Sequence, residues 1–429
     1  MKQGLLFGPE EEAEDRYTER SGTFVDNMRL PVHRWYRYSA GFSAQWASAA
    51  IHESSKGRKS RVFDPFVGSG TVVLESEHAG AEGLGVEAHP FVARVARAKL
   101  HWRADPKALR KLGTKIAKQA EMDGGAAEGH AALVVKCYPP EVLEKLDALK
   151  KAWAHANDGS AAAELCWLAL VSILRAASPV GTAQWQYILP KKAKAKTVEP
   201  PQAFEERVGL LTGDRVAWQA RKAGPPGQVL CEDARDRGGV PDQWADLVAT
   251  SPPYANNYDY ADATRLEMTF LGEINGWGDL QSVVREKLVR SCTQHVAPYS
   301  DRTAKVLKDA LPQPIATELT EVRGRLEAEK ENHGGKKQYH AMLAHYFLDL
   351  ARVWKALRRV VKMGGRVCFV VGDSAPYGIH VPVDCWLGRL AVAAGFQGFT
   401  FEKPRDRNTK WKNRKHRVLL HEGRLWVEG

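Results

Sequence analysis

"RVFDPFVGSGT", residues 61–71, reads as a strand, a turn and the first residue of a helix. Arg61–Asp64 is short and apolar at its centre. Gly68 and Gly70 allow a tight turn with close backbone approach, and Thr71 opens the helix. The same alternation recurs on either side. "GLGVEAHP", 83–90, predicts a second strand ending at Glu87, with a helix after Pro90. "GQVLCEDAR", 227–235, predicts a third, ending in acid at Glu232 and Asp233, and "ADLVAT", 245–250, a fourth. A helix is expected over Ser43–His52. Tyr339, Met342, Leu343, Tyr346, Phe347, Leu350, Val353, Trp354, Leu357 and Val361 keep helical spacing, which predicts one long amphipathic helix. It stops at Gly364-Gly365, and "RVCFVVGDS", 366–374, is a buried strand. Strands separated by helices imply a mainly parallel α/β sheet with helices on both faces.

Two stretches interrupt this alternation. Residues 107–176 are rich in Ala, Leu, Lys and Glu with helical spacing, and 179–201, "PVGTAQWQYILPKKAKAKTVEPP", is a breaker-rich, lysine-rich segment that no regular element explains. Residues 285–336 form a second polar, basic and irregular insertion. The expected organisation is therefore a catalytic domain in three pieces, 1–104, 226–284 and 337–429, with insertions at 105–225 and 285–336.

Composition limits the classes available. A chain of 429 residues, 44% of them hydrophobic, can bury one large core or two modest ones. Its net charge of +11 favours a polyanionic partner. Six scattered cysteines, with no CxxC and no histidine cluster at zinc spacing, argue for a reduced compartment and no structural metal. The opening "MKQGLLFGPEEEAEDR" has too short an apolar run for a signal peptide, and no stretch is long enough to cross a membrane. A cytoplasmic protein without a membrane association is expected.

In such sheets ligands bind beyond the carboxyl ends of the strands. Three strand ends carry the apparatus for one small molecule. Gly68 and Gly70 bring backbone amides and a helix N-terminus to an anionic group. Glu87 can accept both hydroxyls of a ribose, and Asp233 an exocyclic adenine amine. Together they describe an adenosine with an anionic tail. NAD is disfavoured because "DPFVGSGT" is not GxGxxG, and there is no GxxxxGK[ST] for a nucleoside triphosphate.

"DPFVGSGT", 64–71, followed by "SPPY", 251–254, resembles the amino-group DNA methyltransferases, which use S-adenosylmethionine. The resemblance covers both motifs, the acidic strand ends and the 365–374 strand, and leaves the two insertions unaccounted for. It implies a Rossmann-like methyltransferase fold: a mainly parallel seven-stranded sheet with helices on both faces, an antiparallel C-terminal strand and helical insertions. It implies that Asp64, Pro65, Phe66, Gly68, Ser69, Gly70, Thr71, Glu87, Ala88, Asp233 and Ala234 hold the cofactor. A segment upstream of the cofactor motif would close over its methionine end, with Phe42 and Ser43 as candidates. Ser251, Pro252, Pro253 and Tyr254 would form the catalytic turn, and Asp259 could orient the base.

The chemistry needs such a turn. An exocyclic base amine is a poor nucleophile because its lone pair is conjugated into the ring. Acceptors aimed at its two N–H bonds draw the nitrogen toward tetrahedral geometry, and the Ser251 hydroxyl and Pro252 carbonyl are such acceptors. Tyr254 offers a face for a base flipped out of the duplex. The family's adenine-N6 members usually carry Asp or Asn where Ser251 stands and its cytosine-N4 members usually carry Ser, so cytosine N4 is favoured and adenine N6 is the alternative. Cytosine-C5 chemistry is rejected, because "PPYANNYDY" has no cysteine nucleophile. RNA base methylation, which usually shows Asp before Pro-Pro-Tyr, and a catalytically silent DNA-binding subunit also remain open.

The chain ends soon after its last strands, so sequence readout is expected from the insertions and the closing basic loop. Gln184, Trp185, Lys191 and Lys192 are candidates in the first, and Arg290 and Gln294 in the second. Lys410, Lys412, Arg414 and Lys415 are candidates in "KPRDRNTKWKNRKHR", 403–417. Duplex DNA is the expected partner, with a cognate restriction or defence protein beside it.

Overall fold

The computed structural model describes residues 24–55, 59–183, 187–221, 223–296, 310–407 and 418–429. The strands are β1 Arg61–Asp64, β2 Glu82–Val86, β3 Val180–Thr182, β4 Ile188–Ala193, β5 Gln228–Leu230, β6 Ala245–Thr250, β7 Val361–Gly372, β8 Gly398–Arg407 and β9 Leu420–Glu428. Seven of them form one sheet in the order β5-β2-β1-β6-β7-β9-β8. β5, β2, β1, β6 and β7 run parallel, whereas β9 pairs antiparallel with both β7 and β8. From β1 the chain builds outward to β2 and β5, then returns to lay β6 on the other side. The strand order therefore reverses between β1 and β6.

Period-2 alternation distributes the strand side chains between two buried faces. Val62, Leu247, Ala249, Cys368 and Val370 pack with Phe42, Trp46 and Ile51 at the helix Ala44–Ser55. Phe63, Val248, Val367, Phe369 and Val371 pack with the long helix Tyr339–Val360. Trp354 of that helix stacks on Phe369 at 4.5 Å between ring centroids. Truncating so large a buried ring costs about 3–5 kcal/mol.

The insertions are more regular than the sequence suggests. Residues 106–177 resolve into helices Pro106–Asp123, Ala132–Cys137, Pro140–Ala156 and Ala161–Ala177. Asp105 caps the first by accepting from Lys107 N at 2.9 Å, and Ser160 caps the last through Ala163 N. They share a core with the sheet domain, as Trp167 meets Phe91 edge to face at 5.6 Å. The segment expected to lack regular structure holds the β3–β4 hairpin and begins the helix Pro200–Gln219. Pro200 and Pro201 occupy its first turn, where a missing N–H costs nothing. The second insertion contains the helix Ile315–Asn332, whose Leu319 and Leu326 join the core around Phe347. The helix Val383–Ala393 was not anticipated. No described helix is long and apolar enough to cross a membrane.

Candidate active site

The cleft lies beyond the carboxyl ends of β1, β2, β5 and β6, at the point where the strand order reverses. The space it encloses is about 770 Å³ with the open mouth included.

The turn after β1 forms its floor. Asp64 is fully buried, and its Oδ1 accepts from Thr250 Oγ1 at 2.5 Å and from Phe66 N at 3.0 Å. The carboxyl ends of β1 and β6 are thereby tied together. Burial pushes the Asp64 carboxyl up from 3.8 to about 7, against the pull of those two hydrogen bonds. Gly68 and Gly70 have φ of +52° and +93°, which favours glycine at both. A Cβ on Gly68 would also lie 2.9 Å from the Tyr38 ring.

Glu87 follows β2 directly. Its Oε2 accepts from Gly68 N and its Oε1 from His89 N, each at 2.9 Å. Each oxygen keeps lone-pair capacity for a ligand donor. Burial raises this carboxyl to about 7. Asp233 lies beyond the end of β5, where Arg235 Nε donates to both of its oxygens, at 3.0 and 2.8 Å. The Arg235 backbone N–H and Nη2 add contacts to Oδ1 and Oδ2 at 2.8 and 2.6 Å, so this charge pairing engages both oxygens and orients the carboxylate.

Pro65, Phe66, Ser69, Thr71, Ala88 and Ala234 complete the expected part of the wall, together with Phe42 from upstream. Asn27 holds that upstream segment by donating to the Phe42 carbonyl at 2.8 Å and accepting from Ala44 N at 2.9 Å. Ser43 does not line the cleft. It starts the helix behind it, where its hydroxyl accepts from Trp46 N. Asp64 and Gly70 likewise support the wall from behind.

From the Ser251–Tyr254 turn, Ser251 and Pro253 reach the same cleft. Ser251 Oγ donates to the Val370 carbonyl at 3.1 Å. Tyr254 is half-buried; its hydroxyl donates to Glu422 Oε1 at 3.2 Å, and its backbone N–H donates to the Tyr260 hydroxyl at 3.3 Å. The Ser374 hydroxyl binds the Ala255 carbonyl. β7 and β9 thus hold the turn from below.

Asp259 is placed differently from the expectation. It is buried and does not line the cleft. Arg285 Nη2 donates to its Oδ2 at 2.6 Å, and His295 Nε2 lies 3.3 Å from its Oδ1. Burial pushes this carboxyl up, but His295 and Arg285 outweigh it and hold the group at about 2. Asp259 fastens the loop after the turn. Its own N–H donates to the Tyr187 hydroxyl at 2.7 Å, which brings the hairpin onto that loop.

Tyr260, a candidate wall of the base pocket, lines this cleft, and several wall residues were not anticipated: Tyr38, His89 and the run Lys287–Val289. Tyr38 belongs to the aromatic stretch upstream of β1, a signal that was available. Lys287–Val289 carries none. His89 is buried, its ring 2.8 Å from Thr264 Oγ1, and burial lowers it to about 3, so it is neutral.

Of the residues expected to contact DNA, Lys191 and Lys192 are exposed on β4 and Gln294 is exposed beside the loop. Arg290 is committed to the interior, with Nε donating to Asp349 Oδ2 at 2.8 Å. Gln184, Trp185, Lys410, Lys412, Arg414 and Lys415 lie outside the described residues.

A seven-stranded sheet with a single reversed strand near its edge, and a cleft at its switch point, is a Rossmann-like methyltransferase fold. No protein-family model matches the chain. It is similar to Type II methyltransferase M.AvaI of a Nostoc species and of Anabaena variabilis, each 24% identical over 420 residues that span 87% of this chain and 81% of the relative. It is also similar to Type II methyltransferase M.BsoBI of Geobacillus stearothermophilus, 24% identical over 469 residues, spanning 95% of this chain and 88% of the relative.

Proposed function

We propose that this chain is a site-specific DNA methyltransferase that uses S-adenosylmethionine and acts on an exocyclic amine, with cytosine N4 as the target atom. The observation that carries the reading is that Glu87, Asp233 and the glycine turn share one cleft with Ser251 and Pro253. A methyl donor and an acceptor base can therefore meet there. The relatives' names support a Type II modification role, with a cognate restriction activity elsewhere.

The residues present fit this cofactor. Glu87 would accept from the ribose hydroxyls and Asp233 from the adenine amine, with Phe42, Ala88 and Ala234 as apolar contacts. The N-terminus of the helix Thr71–His78 would face the methionine carboxylate. When bound, S-adenosylmethionine supplies a methyl group on a positively charged sulfur.

Ser251 gives its single proton to the Val370 carbonyl, so its lone pairs are left to accept from the target amine. The Pro252 carbonyl would take the second N–H, and Tyr254 would stack on the flipped base. Asp259, held near 2, is too weak a base to remove the amine proton beforehand. The proton leaves after methyl transfer, when the nitrogen is cationic and acidic. Lys191 and Lys192, with the basic segment 403–417, would neutralise phosphates of duplex DNA.

Methylome sequencing of a host expressing the protein tests this by reporting base, position and context together. N4-methylcytosine at a recurring site is expected. N6-methyladenine would move the target atom, and an unmodified genome would remove the reading.

A further inference from the structure

The stretch Arg285–His295 touches both halves of the site. On one side Lys287, Leu288 and Val289 form a wall of the cleft. On the other, Arg285 and His295 grip Asp259, while Ser291 O and Thr293 N bond to Asn257 in the same loop, at 3.1 and 2.8 Å. This strap has only short 3-10 turns at Arg285–Lys287 and Thr293–His295. Regular backbone pairing does not hold it, so side chains must.

Two arginines do so. Arg235, already bound to Asp233, donates through Nη2 to the carbonyls of Glu286 and Lys287, at 3.2 and 3.1 Å, and through Nη1 to Asp349 Oδ1 at 3.3 Å. Arg290, inside the strap, donates its backbone N–H and Nε to Asp349 Oδ2, at 3.1 and 2.8 Å, and its Nη2 to Oδ1. Asp349 belongs to the long helix Tyr339–Val360 and is fully buried. It is the anion the two arginines share. Without its charge, two largely buried guanidinium groups would repel each other, and the strap would lose its common anchor.

We infer that Asp349 is a positioning residue for the cofactor cleft, acting through Arg235 and Arg290 to hold Lys287–Val289 against the ligand. The inference rests on the reading of the cleft as the S-adenosylmethionine site. It also reassigns the start of the second insertion: Arg285–Val289 serves the cofactor and the catalytic loop, and Arg290 does not contact DNA.

The test uses the full-length chain and S-adenosylhomocysteine as probe. Calorimetry on Asp349→Asn, which keeps the side-chain shape and removes the charge, should show affinity about ten-fold weaker than wild type. Hydrogen exchange should show residues 285–290 protected on ligand binding in the wild type and no longer protected in the variant. If Asp349→Asn does not fold, Arg290→Gln, which leaves the Arg235–Asp349 contact in place, should show the same two effects more weakly. A lowered melting temperature with unchanged affinity and unchanged protection would make Asp349 a stabilising residue only and overturn the inference. A wild type without affinity for the probe would instead remove the underlying reading of the cleft.

Discussion

The hydroxyl of Ser251 lies 3.1 Å from the carbonyl oxygen of Val370 and donates to it. The contact crosses from the end of β6 to β7 and decides what Ser251 can offer a substrate, which is acceptance alone. Ser251→Ala should lower kcat by about 5- to 150-fold, equivalent to about 1–3 kcal/mol of transition-state stabilisation, with cofactor affinity retained. Nucleoside mass spectrometry of methylated DNA should show N4-methylcytosine as the main product of the wild type. A dominant N6-methyladenine signal would defeat the serine-based assignment and leave the fold and the cleft intact.

Tyr254 is braced through its hydroxyl by Glu422 and does not line the cleft that holds Glu87 and Asp233. Tyr254→Ala should slow methyl transfer to DNA by about 5- to 150-fold while leaving S-adenosylmethionine affinity nearly unchanged, because the stacking it removes, about 1–3 kcal/mol, belongs to the base. Transfer of a tritiated methyl group at the wild-type rate would remove that role.

Glu87 titrates at about 7 in the folded protein, and its ionised form is the better acceptor for hydroxyl donors. The affinity for S-adenosylhomocysteine should therefore rise as pH increases through about 7 and level off above it. Glu87→Gln should bind more weakly and lose that dependence. An identical pH profile in wild type and variant, measured by calorimetry, would exclude Glu87 as the titrating acceptor.

Asp64 has a folded-state pKa of about 7 against an ordinary value of 3.8. Between these values the folded state binds the extra proton, so stability falls as pH rises through that window and is flat above it. Asp64→Asn, which keeps the acceptor for Thr250 and cannot ionise, should reduce the fall in Tm between about pH 4 and 7. The same slope in the variant would place the titration elsewhere.

Replacing Lys191 and Lys192 by Gln should weaken DNA binding without regard to sequence and lower the salt dependence by about 0.9 for each phosphate that is no longer neutralised. The same is expected on neutralising Lys410, Lys412, Arg414 and Lys415. An unchanged slope in either variant would make that segment an ordinary solvated surface.

The local parts of this protein were legible in its sequence. Gly68 and Gly70, the acids after the strands and the proline-rich turn at 251–254 are short-range signals, because strand ends and tight turns depend on neighbouring residues. They also locate the cleft, since a parallel sheet brings the carboxyl ends of its strands to one edge. Long-range charge pairing was not legible. Asp259 looked catalytic because an acid just after the turn could orient the base, yet Arg285 and His295, 26 and 36 residues away, pair with it inside the fold. Arg290 looked like a DNA-reading residue because it sits in a polar, basic insertion, yet Asp349, 59 residues later, holds it inside. Composition and spacing determined the motifs and the central strands of the sheet, but not the β3–β4 hairpin or the helices Ile315–Asn332 and Val383–Ala393. Only packing decided which carboxylates face the cleft and which fasten it, because burying a charge is costly unless folding supplies its partner.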